Sequence, residues 1–226
     1  MTGAVVLDIE GTVSPLSAVH DVLFPYARDR IEAWIRQGRA ETVVSEVLRQ
    51  LGGDAGLNHV VRTLLGWHDD NAKHSPLKTL HGLIWEQGFL SGELTGEVYP
   101  DLPPALVSWT RRGIRCWIYS SGSVLAQRLW FSRTNFGDLT GYLSGHFDTI
   151  SGGLKKEPVS YRRIADEIGT PPGEILFYSD ARAELDAART AGWRAVGVRR
   201  PGCVTEFGAH PVVADLAELA VATEVA

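Results

Sequence analysis

The stretch VVLDIEGT, residues 5–12, decides how the rest of the chain reads. Three apolar residues, Val5, Val6 and Leu7, predict a short buried strand that ends at an acid, Asp8, with a second acid at Glu10. Alternation along a strand puts residues two apart on one face, so Asp8 and Glu10 are expected to point the same way. Like charges that close repel each other unless a cation or a proton sits between them. Gly11 would let the backbone turn sharply beneath the pair. A strand-end acid also caps turns, so the pair alone admits a structural reading. The functional reading is a nucleophilic carboxylate beside a general acid/base.

Working outward, further short apolar runs predict strands at 4–8, 114–119, 174–179, 194–198 and 211–213, with helices at 123–133, 158–168 and 182–191. Strands alternating with helices argue an α/β chain with a Rossmann-like parallel sheet covered on both faces. Active sites of such sheets gather at the carboxyl ends of the strands. Asp8, Ser120 and Asp180 all fall at or just after predicted strand ends. Residues 16–95 read differently. VHDVLFPYARDRIEAWI, ETVVSEVLRQL, LNHVVRTLLGWHDD and PLKTLHGLIWEQGFL carry helical spacing, punctuated by Gly52-Gly53 and Gly66, with Pro25 starting or kinking the first. The expected organisation is an α/β core from residues 1–15 and 96–226, with a helical cap of residues 16–95 inserted after the first strand; the prolines of YPDLPPAL mark the return to the core.

Three later stretches carry possible chemistry. In YSSGSVLAQ, Ser120, Ser121 and Ser123 stand between a strand and a helix, where serine either caps the helix or joins its first N–H groups in cradling a phosphate. In GGLKKEPVSY, Lys155 and Lys156 are either a solvated pair or a source of one ammonium that reaches a phosphoryl group. In ILFYSDARAELDAARTAGWRAVGV a strand ends at Asp180, and Glu184 follows four residues on, so both acids can face one turn. Asp180 has the donor chemistry of a magnesium ligand, since hard cations prefer oxygen.

Bulk properties narrow the classes. A net charge of -5 over 226 residues makes no electrostatic case for nucleic acid or an anionic membrane as partner. Two distant cysteines, Cys116 and Cys203, supply no disulfide framework or thiolate metal site and fit a reducing cytoplasm. The first residues lack the form of a signal peptide, and no run of about 18 apolar residues predicts a membrane span. The absence of a GxxxxGK[ST] loop argues against P-loop nucleotide hydrolysis. His20 reads as structural, His74 and His81, seven apart, as sharing one helical face, and the seven tryptophans as packing.

In this order, Asp-x-Glu-Gly-Thr, a strand-end Ser, a Lys before a helix and Asp-x-x-x-Glu, the chain resembles the haloacid dehalogenase superfamily of phosphohydrolases. Within it, LDIEGT, VLFPYAR, YSSGSVLAQ, GHFDT, SYRRIADEIG, ILFYSD and VRRPG are similar to the acireductone synthases, the enolase-phosphatases of methionine salvage. The likeness runs from about residue 4 to residue 202, and Glu10, where most of the superfamily has Asp, is among its narrowest marks. Val13 departs from it, since that family usually has threonine there. The resemblance implies a cytoplasmic, monomeric enzyme that enolises and dephosphorylates a small phosphorylated diketone, 2,3-diketo-5-methylthiopentyl 1-phosphate. It implies Mg2+ held by Asp8, Glu10 (through its carbonyl) and Asp180, attack on phosphorus by Asp8, and proton transfer by Glu10. Ser120 and Ser121 would hold the phosphoryl group or the enolate oxygens, Lys155 would neutralise the phosphate, and the cap would exclude water. Two alternatives stay open: a magnesium phosphatase of another small phosphate ester, and a phospho-acceptor module resembling receiver domains, which also combine a strand-end Asp, Ser/Thr and Lys.

Overall fold

The computed structural model of the chain describes residues 2–53 and 55–216. These fall into two compact units: Ser17–Leu94, and the segments up to Leu16 and from Thr95.

The second of these is built on a six-stranded parallel sheet. Its strands are β1 (Ala4–Leu7), β2 (Arg115–Tyr119), β3 (Leu143–Phe147), β4 (Ile175–Ser179), β5 (Arg194–Val198) and β6 (Val212–Val213), in spatial order β3-β2-β1-β4-β5-β6. Every residue of β1 and of β4 is buried, the expected state of central strands covered by helices on both faces. On one face Val6 and Phe177 join Tyr161, Ile164, Leu185 and Ala188, which come from the helices Pro158–Ile168 and Arg182–Thr190. On the other, Trp109 of the helix Leu102–Arg111 stacks on Tyr178 with ring centroids 5.9 Å apart. Pro103 and Pro104 sit in the first turn of that helix, where a missing N–H costs nothing, so the prolines begin a helix as well as marking the return to the sheet.

Leu7 lies opposite both Ile118 of β2 and Tyr178 of β4. β1 is therefore the strand at which the winding of the sheet reverses, and the crevice outside its carboxyl end is where such sheets bind ligands. β3 is a strand that the apolar pattern does not announce. Its sequence, LSGHF, holds a serine, a glycine and a histidine, and it is a sheet edge. Gly145 is required there because a Cβ would overlap the Trp117 ring on the neighbouring strand.

The unit Ser17–Leu94 is helical. A π-helical turn, Ala18–Leu23, leads into Phe24–Arg36, which Pro25 starts; Glu41–Gln50, Leu57–Asp69 and Ser75–Ser91 follow. Ile31, Val47, Val60, Leu64, Leu80 and Ile84 make its core. Gly66 does not punctuate: it lies inside Leu57–Asp69 with open space around it, so the helix carries through. His74 and His81 do not share a face. His74 precedes the last of these helices and stacks on Trp67 at 3.9 Å, whereas His81 lies within it. Among the described residues no helix is long and apolar enough to cross a membrane.

His81 is 4% exposed, packs on the Phe24 and Trp85 rings, and places Nε2 3.0 Å from Nδ1 of His68. Burial, and then the charge of His68, lower it to about 4. The unfolded chain, with a histidine near 6.5, binds the proton more tightly, so this stability is complete above that value and is lost as pH falls towards about 4. Between pH 7.5 and pH 5 the loss amounts to about 2 kcal/mol. His81→Gln is expected to remove that share of the pH dependence in denaturant titrations followed by tryptophan fluorescence. An unaltered pH dependence in the variant would count against the assignment.

Candidate active site

The site is assembled at the carboxyl ends of β1, β2 and β4. β1 stops at Leu7, yet Asp8 N still donates to Tyr178 O at 3.0 Å, so Asp8 is the last residue held by the sheet. The chain then turns at once. Ile9 O accepts from the amides of Thr12, Val13 and Ser14, and Gly11 N donates to Ser14 O at 2.8 Å. Glu10 lies past the end of β1, in this turn, where its backbone bridges to Ser14 and its charge reaches Asp180. The turn needs a glycine twice over. Gly11 has φ +72°, and a Cβ there would overlap the Asp180 carboxylate.

Asp8 is 5% exposed and held on both oxygens. Oδ2 accepts from Thr12 Oγ1 at 3.0 Å, and Oδ1 lies 2.5 Å from Lys155 Nζ. Thr12 Oγ1 in turn accepts from Asp180 N at 2.9 Å, so one hydroxyl links the two strand-end acids. Lys155 is also 2.6 Å from Glu184 Oε2, which accepts from Ser179 Oγ at 2.9 Å. The lysine's own backbone is fixed from below: Tyr161 Oη donates to Lys155 O at 2.7 Å and Tyr119 Oη to Gly153 O at 2.8 Å. Lys156, by contrast, is exposed.

The serine stretch stands beside them. Ser120 is buried at the end of β2, with its N–H on Phe147 O and its Oγ accepting from Gly122 N at 3.3 Å; Ser121 is exposed one residue on. Ser123 takes the capping part, accepting from Ala126 N at 3.2 Å. Asp148, the acid of GHFDT, ties this stretch to the lysine loop: Oδ2 accepts from Val124 N, and Oδ1 from Ile150 N and Ser151 N.

Thus Asp8, Lys155 and the main chain of Asp180 meet around Thr12, and Ser120 stands at the neighbouring strand end. Sequence reasoning left two participants without a role. Thr12 was visible as a hydroxyl four residues after Asp8 across a glycine turn. Glu184 was visible as an acid in the first turn of a helix whose neighbours are alanines.

The electrostatics are lopsided. One ammonium, Lys155, faces the carboxyls of Asp8 and Glu184, and Asp180 feels Asp8 and Glu10. Burial works against the lysine's charge, but Asp8 and Glu184 outweigh it and hold the ammonium above lysine's ordinary range. Burial, then the charge of Asp8, raise Asp180 to about 6; the same two causes raise Glu184 to about 7, with Lys155 opposing them. This surplus of negative charge on oxygen is what a hard divalent cation relieves. Among the described residues no three His, Cys, Asp or Glu side chains form a metal cage. Magnesium does not require one: it is commonly held by one or two carboxylates together with waters and a substrate phosphate. The donor set fits Mg2+.

Gly11→Ala tests the turn. A left-handed alanine costs about 1–2 kcal/mol, and the Asp180 carboxylate has to move aside. We expect a lower unfolding midpoint and a loss of turnover of about tenfold or more. Wild-type stability together with wild-type turnover would contradict this account of the turn.

Comparison with known proteins places the chain in a family. The family model of haloacid dehalogenase-like hydrolases matches residues 2–192. The chain is 50% identical over 221 residues to "Enolase-phosphatase E1" of Frankia alni, covering 95% of this chain and 94% of that protein. It superimposes on the crystal structure of the UTR4 protein of Saccharomyces cerevisiae with a TM-score of 0.82 at 33% identity, over 95% of this chain and 98% of that one. A more distant likeness in fold, TM-score 0.60 at 21% identity and full coverage of both chains, links it to the L-2-haloacid dehalogenase of Xanthobacter autotrophicus. The chain therefore belongs to the haloacid dehalogenase-like hydrolases and, among them, to the enolase-phosphatase family.

Proposed function

We propose that the chain converts 2,3-diketo-5-methylthiopentyl 1-phosphate to the acireductone 1,2-dihydroxy-3-keto-5-methylthiopentene and phosphate, with Mg2+, by enolisation followed by dephosphorylation through an aspartyl-phosphate. One observation carries the reading: a strand-end carboxylate, Asp8, held between a lysine ammonium and a hydroxyl with a second strand-end acid beside it. In this reading Asp8, the carbonyl of Glu10 and Asp180 would hold the magnesium, which when bound supplies positive charge against the phosphoryl oxygens.

The residues divide the work as follows. Thr12 donates to Asp8 Oδ2 and keeps the carboxylate from rotating, so the nucleophile is oriented before substrate arrives. An Asp8 oxygen attacks phosphorus; the bond from phosphorus to the bridging oxygen breaks, the oxygen leaving with the substrate carbon, and Glu10 gives its proton to that departing oxygen. Water then attacks the acyl phosphate and loses a proton to Glu10, which restores the acid, while the returning electron pair regenerates the Asp8 carboxylate. Lys155 opposes the repulsion between a phosphate dianion and the attacking carboxylate, an electrostatic contribution that is large in a buried site. Ser120 and Ser121 would receive the phosphoryl or enolate oxygens. Family membership and the likeness to the enolase-phosphatase of Frankia alni support both half-reactions. The same site would also serve a phosphatase of another small ester, which Val13, buried directly after Thr12, keeps in view.

The assay is single-turnover enol absorbance beside phosphate release. Asp8→Asn keeps the shape and removes the nucleophile, so phosphate release is expected to drop about a thousandfold or more while enol absorbance persists at saturating magnesium. Glu10→Gln is expected to slow both signals. Near wild-type phosphate release from Glu10→Gln removes it as the general acid, and full activity after exhaustive chelation removes the metal from the reading. A wild-type chain that hydrolyses simple phosphate esters and leaves the diketone phosphate untouched would favour the plain phosphatase.

The two lysines provide a separate check. Lys155→Ala is expected to lose about a hundredfold or more in kcat, in line with loss of a preorganised charge. Lys156→Ala, an exposed change, is expected to stay within about twofold of wild type. The reverse pattern would place the phosphate-neutralising ammonium one residue on.

A further inference from the structure

We propose that Arg200 is a positioning residue for this reaction: it grips the backbone of Thr12 from behind and, through the Thr12 hydroxyl, sets Asp8 and the main chain of Asp180. The inference rests on the phosphatase reading above for its kinetic consequences and on the geometry alone for the linkage itself.

Arg200 lies two residues beyond β5, in VRRPG, and is 7% exposed. Its guanidinium is spread over three acceptors. Nε donates to Thr12 O at 2.8 Å, and Nη1 donates to Asp101 Oδ2 at 2.8 Å and to Ala214 O at 3.1 Å. Asp101, just ahead of the helix Leu102–Arg111, is 9% exposed and also accepts from Leu216 N at 2.9 Å. The flat face of the guanidinium lies 4.2 Å from the centre of the Tyr99 ring, and Tyr99 N donates to Val13 O at 2.9 Å. Two successive carbonyls of the β1 turn, Thr12 and Val13, are thus held by one cluster.

As a device for stability alone this is a poor bargain. Removing both charges of an ion pair from water offsets much of their attraction, and a well-packed apolar pair often does as well. Here the pairing is also incomplete: among the described residues, Arg200 Nη2 and Asp101 Oδ1 are buried without a hydrogen-bond partner. What an apolar pair could not supply is the Nε–H aimed at Thr12 O. Thr12 is fully buried, so its side-chain direction follows its backbone. Its hydroxyl has both functions assigned, donating to Asp8 Oδ2 and accepting from Asp180 N. A shift of the Thr12 peptide would therefore rotate the nucleophile and loosen the Asp180 amide together.

Arg200→Lys isolates this bond. Lysine keeps a cation for Asp101 but carries a methylene where arginine has Nε, so Thr12 O loses its donor. Three results are expected: kcat lower by about ten- to a hundredfold with KM within about twofold, faster hydrogen exchange of the Asp180 amide by about tenfold, and no further loss when Arg200→Lys is added to Thr12→Val. Replacing the pair together, Arg200→Met with Asp101→Leu, strands no charge and is expected to show the same kcat and exchange effects. A folded variant of either kind with wild-type kcat or a wild-type Asp180 exchange rate overturns the proposal, as does a loss that multiplies with that of Thr12→Val. If both variants fail to fold, Arg200 is a structural strut and the proposal falls. Should the wild-type chain release no phosphate from the diketone phosphate or any simple ester, the functional reading fails, and Asp180 exchange still decides whether Arg200 acts through Thr12.

Discussion

Everything in the sheet unit depends on keeping Asp8 buried and oriented at the end of its central strand. A carboxylate taken out of water is costly unless its oxygens are bonded and its charge opposed. The chain meets both needs with groups from far apart in sequence: a hydroxyl four residues on, and an ammonium brought from position 155. The lysine is itself buried and would be costly alone. Glu184 gives it a second carboxylate, and Ser179 steadies Glu184. The result is a chain of charges, each tolerable only because of the next, and removing any link leaves a buried group unpaired.

The parallel sheet is what brings these groups to one place. Every strand runs the same way, so every strand end opens towards the same edge, and the loops after β1, β2 and β4 become neighbours. The helices then pin the loops from beneath. Tyr161, on the helix Pro158–Ile168, packs in the core and still reaches Lys155 O with its hydroxyl. Tyr119, at the end of β2, does the same for Gly153 O. These tyrosines transmit the rigidity of the sheet to a loop that would otherwise be free, which is how a packed core becomes part of a site's precision.

Legibility in the sequence followed the range of the interaction. β1, β4 and β5 and the helices behind them are short apolar or amphipathic runs, and local pattern suffices to place them. Asp8 and Asp180 stand out because a charge ends an apolar run. β3 hides because an edge strand facing Trp117 needs Gly145, and its pattern contains a histidine that is partly buried. His74 and His81 were paired by spacing, although a helix start lies between them. Glu184, Thr12 and Arg200 take most of their meaning from partners up to 188 residues away, which no local pattern encodes.

The arrangement around Lys155 has a consequence for the proposed chemistry. An ammonium carries three N–H donors. Two are directed at Asp8 and Glu184, which leaves one for a phosphoryl oxygen without breaking either existing contact. The charge that would meet the substrate is therefore already in place, on a side chain only 10% exposed. Such preorganisation is the main source of electrostatic catalysis in buried sites. It also explains why a single lysine is held by two acids. With Asp8 alone, the ammonium would follow the nucleophile as that carboxylate moves onto phosphorus. Glu184 keeps it anchored to the wall of the site, so that Asp8 would be released towards the substrate while the positive charge stays where the phosphoryl oxygens would need it.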